Sequence, residues 1–91
     1  MKKIVVRKLG HDELHESGVF SWPVWEKEVS KFPWIYSEEE ACYIIEGKAT
    51  VTPACGGEAV TVESGDYVVF PAGMECTWEI IEDIKKHFNF K

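Results

Sequence analysis

One glutamate and two cysteines are the side chains of this chain that are best placed for chemistry. Glu40 and Cys42 are two residues apart in the segment Glu40–Glu46, and Cys76 begins the segment Cys76–Ile81. Both segments have the composition of β-strands, in which residues i and i+2 share one face. A carboxylate in an apolar setting can transfer protons or bind a polar ligand, and a thiolate can act as a nucleophile or bind a metal. These three side chains are therefore the first candidates for a site.

Each candidate also has a structural interpretation. Glu40 is either an acid–base or ligand-binding group, or a structural carboxylate that is hydrogen-bonded to Tyr36 or to a tryptophan N–H. Cys42 and Cys76 are either functional thiols or small buried hydrophobic residues. A nucleophilic Cys76 would need a neighbouring base, and none of the three histidines is expected to lie on the same face as Cys76.

Composition and charge exclude several classes of protein. The 91 residues are 45% hydrophobic and 13% aromatic, which suits one small domain with a packed core. The net charge of -6 argues against a nucleic-acid partner. No apolar run approaches the ~20 residues of a membrane span, and the apolar run Ile4–Val6 is shorter than the ~7 residues of a signal-peptide core. With an odd number of cysteines, these features predict a cytoplasmic protein without a membrane partner.

Short apolar segments separated by Gly, Pro and acidic turns predict an all-β fold. Turns are expected at Gly47-Lys48 and Cys55–Gly57, and a loop at Gly10–Gly18 with one helical turn at Asp12–His15. The segment Glu26–Phe32 fits a helical or an extended pattern, and the proline that follows it favours extended structure. The predicted strands are Ile4–Leu9, Ser21–Trp25, Trp34–Tyr36, Glu40–Glu46, Ala49–Pro53, Glu58–Glu63, Tyr67–Phe70, Cys76–Ile81 and Lys85–Phe90.

Two segments resemble the two motifs of the cupin family. In the first, Glu40 is followed seven positions later by Gly47; in the second, Gly65–Gly73 reads Gly-Asp-Tyr-Val-Val-Phe-Pro-Ala-Gly. The pattern is similar to the small Cupin_3 (DUF861) group, whose members resemble the cupin domains of (S)-ureidoglycine aminohydrolase and include ethanolamine-utilisation proteins. The resemblance covers Trp22 to Phe90.

The resemblance implies a cupin jelly-roll β-barrel, or double-stranded β-helix, of two antiparallel sheets. Residues 1–91 would form a single cupin domain, with an N-terminal strand and loop at 1–21 and the cupin core at 22–90. Many cupins pair through an exposed strand edge, so the resemblance also implies a homodimer.

The resemblance further implies a site. The family's metal-binding histidine positions carry Trp34, Tyr36 and Cys76 here, whereas its glutamate is retained as Glu40. No metal cofactor is therefore expected; a divalent metal would have to be held by Glu40 and Cys76, with Cys42 as a third ligand. Strand alternation from these positions gives an implied ligand-binding pocket of Trp34, Tyr36, Glu40, Cys42, Phe70 and Trp78.

Such a pocket predicts a small-molecule-binding protein with an aromatic, mildly acidic site, in which Glu40 and Cys76 are the candidate catalytic residues. Trp34, Tyr36 and Trp78 either stack on a planar ligand or fill the core. One alternative is a hydrolase-like enzyme that acts on a small nitrogen-rich metabolite, as the likeness to ureidoglycine aminohydrolase implies. Another is a structural or regulatory cupin without an active site.

Overall fold

The protein is built mostly of β-strands. The computed structural model describes residues 3–54 and 56–90. A short helix, α1 (His11–Ser17), and a 3-10 turn at Val19–Ser21 precede most of the sheet. The strands are β1 (Val5–Arg7), β2 (Val24–Lys27), β3 (Ser30–Ile35), β4 (Glu40–Pro53), β5 (Val60–Glu63), β6 (Tyr67–Phe70) and β7 (Glu75–Phe90). The predicted all-β class is confirmed.

Two long antiparallel strands, β4 and β7, form the spine of the fold. They pair from Glu40 opposite Phe90 at one end to Pro53 opposite Cys76 at the other. The first half of β4 pairs with β6, which in turn pairs with β1, and the second half of β7 pairs with β2. The second half of β4 pairs with β5, and the first half of β7 with β3. These two groups of strands are the two antiparallel sheets of the predicted jelly roll.

The prediction of a turn at Gly47-Lys48 is wrong. β4 continues through these two residues and forms a β-bulge there. The pairing of β4 with β7 shifts register between Ile44 and Ala49, and Gly47 has a φ of +94°. A Cβ at Gly47 would overlap the backbone oxygen of Asp83 on β7. Such a bulge lets a long strand bend without ending, so one strand can serve both sheets.

β7 is also longer than predicted. It runs without interruption from Glu75 to Phe90 and joins the predicted strands Cys76–Ile81 and Lys85–Phe90. The acidic residues between them, Glu82 and Asp83, resemble a turn in the sequence, but they belong to the strand opposite the bulge of β4.

The N-terminal segment is more regular than predicted. The loop with one helical turn at Asp12–His15 is instead the seven-residue helix α1. Leu14 and Val19 are buried in a small cluster with Ala41 and Tyr67. Ala41 alternates with the inward Cys42, so this cluster covers the outer face of the sheet.

The extended structure favoured for Glu26–Phe32 is confirmed by β2 and β3. The predicted turn at Cys55–Gly57 includes Cys55, which lies outside the described residues. Within residues 3–54 and 56–90, no helix is long and apolar enough to cross a membrane.

The main core lies between the two sheets. Its residues are the inward members of β4, β5, β6 and β7 together with Tyr36, which follows β3. They are Tyr36, Cys42, Ile44, Ala49, Val51, Val62, Val68, Phe70, Cys76, Trp78, Ile80 and Ile84. Alternate residues of each strand thus point into one core, as the period of two predicts.

Candidate functional site

A cavity of about 160 Å³ adjoins this core. Its wall combines residues from β2, β3, the start of β4 and most of β7. Nine of the described residues line it; seven of these are aromatic, and the other two carry opposite charges. The lining residues are Trp25, Phe32, Trp34, Tyr36, Glu40, Trp78, Lys86, Phe88 and Phe90.

Four of the residues predicted to bind a ligand line this cavity: Trp34, Tyr36, Glu40 and Trp78. Trp34 is 47% exposed, so its ring stands where the cavity meets solvent. Trp78 is buried and its indole Nε1–H donates a hydrogen bond to the hydroxyl oxygen of Tyr36 at 3.0 Å. The structure therefore brings these four side chains together.

Cys42 and Phe70, predicted in the same set, are not among the lining residues. Both are fully buried. The Phe70 ring stacks on Tyr36 with centroids 4.8 Å apart and planes 6° apart. Phe70 therefore supports the cavity wall from behind, and Cys42 fills the core beneath it.

The charged group of the cavity is an ion pair between Glu40 and Lys86. Lys86 Nζ donates to Glu40 Oε1 at 3.0 Å, and both side chains are about 6% exposed. The structural interpretation of the sequence expected Glu40 to be hydrogen-bonded to Tyr36 or to a tryptophan N–H. Its hydrogen-bond partner in the structure is Lys86 instead.

Aromatic faces surround the same ammonium. Nζ of Lys86 lies 4.8 Å from the ring centroid of Trp78, 5.1 Å from that of Trp25 and 5.9 Å from that of Phe70. A cation is attracted to the negative face of an aromatic ring, more so when it is desolvated. The lysine is thus held by one carboxylate and by a cage of rings.

Lys86 is the functional candidate that sequence reasoning missed, because paired lysines are usually a solvated surface. The signal was present: Lys86, Phe88 and Phe90 alternate on one face of β7, and that face is the cavity face. Trp25 was also missed, because the sequence predicted only that it ends the strand Ser21–Trp25. Trp25 instead lies opposite Lys86 in the pairing of β2 with β7.

The thiol of Cys76 is held protonated. Burial raises its pKa to about 11, and the negative charge of Glu40 acts in the same direction. Its Sγ lies 3.5 Å from the carbonyl oxygen of Trp34, in the geometry of a weak S–H donor. Burial likewise raises the pKa of Cys42 to about 12 and raises the pKa of the Tyr36 hydroxyl. These groups are neutral at physiological pH.

The side chains at the family's metal positions do not fit a metal ion. Trp34 offers no ligand atom and the Tyr36 hydroxyl accepts from Trp78, which leaves the Cys76 thiol as one donor at these three positions. The one carboxylate, Glu40, already faces a cation in Lys86. Within the described ranges, no group of three or more His, Cys, Asp and Glu side chains is arranged to bind a metal.

His87 faces away from the cavity. Its Nδ1 donates to the carbonyl oxygen of Trp22 at 3.0 Å, and its ring lies 6.1 Å from that of Phe20. The rings of His11 and His15 also lie beside Phe20. The histidines therefore belong to the outer face that α1 covers, and none of them lines the cavity. Cys76, which was predicted as a site residue, does not line the cavity either and packs in the core.

The whole chain is similar in structure to a DUF861-family protein of Thermotoga maritima. The two chains are 43% identical, with a TM-score of 0.95, over 98% of this chain and 100% of that one. A DUF1255 protein of unknown function from Acidithiobacillus ferrooxidans is 16% identical with a TM-score of 0.67, over 70% of this chain and 60% of that one. The EutQ protein of Clostridium difficile is 19% identical with a TM-score of 0.65, over 93% of this chain and 64% of that one. The last two show the fold alone.

Among curated proteins, no sequence matches this chain. The model of the Cupin_3 family, described as the EutQ-like cupin domain, matches residues 14–88. That span includes all nine residues that line the cavity except Phe90. The chain therefore belongs to the Cupin_3 family of EutQ-like cupin domains.

Proposed function

We propose that this protein binds a small, flat organic molecule, about the size of one aromatic ring, in the cavity between its sheets. The observation that carries the proposal is the wall itself, whose described part combines seven aromatic residues with the Glu40–Lys86 ion pair. Ligand sites typically combine an apolar wall with a few polar groups that fix orientation.

The size of the ligand follows from the cavity volume of about 160 Å³. An apolar cavity of about 150 Å³ holds one benzene molecule. Phe32 and Trp78 lie in parallel planes 5° apart along one wall. Flat walls and a volume of this size favour a planar molecule over a branched or elongated one.

Binding of such a molecule requires no metal. Among the described lining residues Lys86 is the cation, and its partner Glu40 is the only carboxylate. A divalent ion at Glu40 would have to displace the ammonium and then find further ligands among aromatic rings.

The chemistry of the cavity favours binding rather than turnover. Of the two predicted catalytic residues, Glu40 is engaged by Lys86, and Cys76 is a neutral thiol in the core that does not line the cavity. A nucleophilic thiol needs a base or a positive charge that lowers its pKa, and here the pKa of Cys76 is raised. These features support binding, and a catalytic role for Glu40 and Cys76 stays an untested prediction.

The four tryptophans provide the test. Trp25, Trp34 and Trp78 line the cavity, whereas Trp22 packs against Tyr67 on the outer face. We would screen single-ring compounds by following the four indole N–H signals in proton–nitrogen NMR spectra, with two-ring compounds as size controls.

A ligand of the proposed kind should shift the signals of the three cavity tryptophans and leave that of Trp22 unchanged. The variant Trp34→Ala should weaken binding, and Ile35→Ala, which alters the next exposed residue on β3, should not. Compounds that shift only Trp22, or a screen that moves none of the four signals, would contradict the proposal.

A further inference from the structure

We propose that the ligand of this cavity carries a hydrogen-bond donor and a hydrogen-bond acceptor side by side, as a neutral carboxamide or lactam does, and that the Glu40–Lys86 pair recognises both. This inference rests on the proposed function and specifies the class of molecule bound.

The acceptor of the protein is the second carboxylate oxygen of Glu40. Oε1 accepts from Lys86, and Oε2 accepts no hydrogen bond among the described residues. No buried side-chain nitrogen or oxygen of those residues lacks a partner. Oε2 therefore keeps some accessible surface, and Glu40, which is otherwise buried, meets open space at the cavity.

The donor of the protein is the ammonium of Lys86. An ammonium has three N–H donors, and within the described part of the chain only Glu40 accepts one of them. Its other close neighbours are the faces of Trp25, Trp78 and Phe70. Ring faces attract the charge, but they leave N–H directions open to a stronger acceptor such as a carbonyl oxygen.

The two groups lie next to each other on the cavity wall, since Nζ and Oε1 are 3.0 Å apart. A carboxamide or lactam presents its N–H and C=O in the same adjacent arrangement. Its N–H would donate to Oε2 of Glu40, and its carbonyl oxygen would accept from Nζ of Lys86. The planar body of the molecule would lie against the aromatic wall.

The ion pair also selects against charged and purely apolar molecules. An anion attracted to Lys86 meets the negative charge of Glu40, and a cation attracted to Glu40 meets Lys86. A hydrocarbon covers both groups and removes them from water without replacing their hydrogen bonds, which is costly. A neutral molecule with both functions has none of these penalties.

Four probes of matched shape test this inference: benzamide, benzoate, benzylammonium and toluene. Each would be titrated into the protein with the indole N–H signals of Trp25, Trp34 and Trp78 as the readout. Benzamide should bind at least about tenfold more tightly than each of the others, because hydrogen bonds to charged groups are among the stronger ones.

The double variant Glu40→Gln/Lys86→Met removes both charges together and so leaves neither one unpaired. In this variant benzamide should lose its preference over toluene. If the variant does not fold, the ranking of the four probes on the unaltered protein still decides the matter.

Benzoate, benzylammonium or toluene binding as tightly as benzamide would overturn the inference and leave the proposed function standing. A preference for benzamide that survives in a folded double variant would overturn it as well. If none of the four probes moves a cavity tryptophan signal, the inference and the proposed function both fail.

Discussion

Nζ of Lys86 lies 3.0 Å from Oε1 of Glu40, with both side chains about 6% exposed. Lys86 is opposite Ile44 in the pairing of β7 with β4, whereas Glu40 is opposite Phe90. The two side chains therefore extend along the inner face of the sheet to meet. Both charged groups are removed from water, so each needs the opposite charge of the other for its stabilisation.

Removing one member of this pair should destabilise the protein strongly. Lys86→Met retains the length of the side chain and leaves Glu40 as a buried carboxylate without its cation. We expect a loss of about 3–5 kcal/mol in the free energy of unfolding, measured by urea denaturation. Lys31→Met, at an exposed position of β3, is the control and should change stability by less than about 0.5 kcal/mol.

The double variant Glu40→Gln/Lys86→Met should recover much of that loss, because it leaves no unpaired buried charge. The coupling free energy from the full double-mutant cycle then measures the dependence of each charge on the other. Additive effects of the two single changes would mean that the ion pair does not form in solution.

The hydrogen bond from Trp78 to Tyr36 should also be measurable. Tyr36→Phe leaves the buried Nε1–H of Trp78 without its acceptor, which should cost about 1–3 kcal/mol of stability. Tyr43→Phe is a matched control, since the hydroxyl of Tyr43 makes no hydrogen bond within the described residues and its ring is half-buried. Equal effects of the two changes would contradict this account.

Gly47 should tolerate substitution much less than Gly73. Both have a positive φ, +94° and +82°, so alanine at either position should cost about 1–2 kcal/mol for the left-handed backbone. A Cβ at Gly73 meets open space, whereas one at Gly47 overlaps the backbone of Asp83 and Ile84. Gly47→Ala should therefore cost at least about 1–3 kcal/mol more, and thermal unfolding of both variants would show whether it does.

The two described thiols should react slowly in the native protein at neutral pH. Their pKa values are raised to about 12 for Cys42 and about 11 for Cys76, so almost none of either is thiolate. A Cys55→Ser protein confines the measurement to these two. A thiol reagent at about pH 7.5, below the ordinary thiol pKa of 9.0, should modify the unfolded protein much faster than the native one. Native modification at the unfolded rate would disprove the burial argument.

The same shifts give a pH dependence of stability. The folded pKa of Cys42 lies above its ordinary value of 9.0, so the folded state retains the proton more tightly than the unfolded state does. The resulting stabilisation is complete below pH 9 and is lost as the pH rises towards 12. In denaturation experiments, Cys42→Val should lose less stability between pH 9 and pH 12 than the unaltered protein does. An equal loss in both proteins would mean that Cys42 is not its cause.

We expect the protein to form a homodimer through the free edge of β3. Among the described strands β3 pairs only with β7. Val29, which directly precedes β3, and Ile35, at its end, are 58% and 63% exposed. Sedimentation should show a dimer that Ile35→Lys converts to a monomer. Ile81→Lys is the control, because Ile81 is similarly exposed but lies on the central strand β7. A monomeric unaltered protein would end this proposal.

Most of the fold could be predicted from local pattern. The alternation of Glu40, Cys42 and Ile44 with Ala41 and Tyr43 depends only on strand geometry, and the structure keeps it. The bulge at Gly47 could not be predicted in the same way. A glycine after a strand usually indicates a turn, and only the close approach of Asp83 shows that the strand continues.

The sequence by itself determined which side chains share a face: Glu40 with Cys42, Cys76 with Trp78, and Lys86 with Phe88. That information is local, because the side-chain period of a strand is fixed by its backbone. Which faces meet is a long-range property, set by the register of β4 against β7 and by the bend at the bulge. Only the tertiary structure therefore brought Lys86 to Glu40, Trp25 into the cavity wall, and Cys42 and Phe70 behind it.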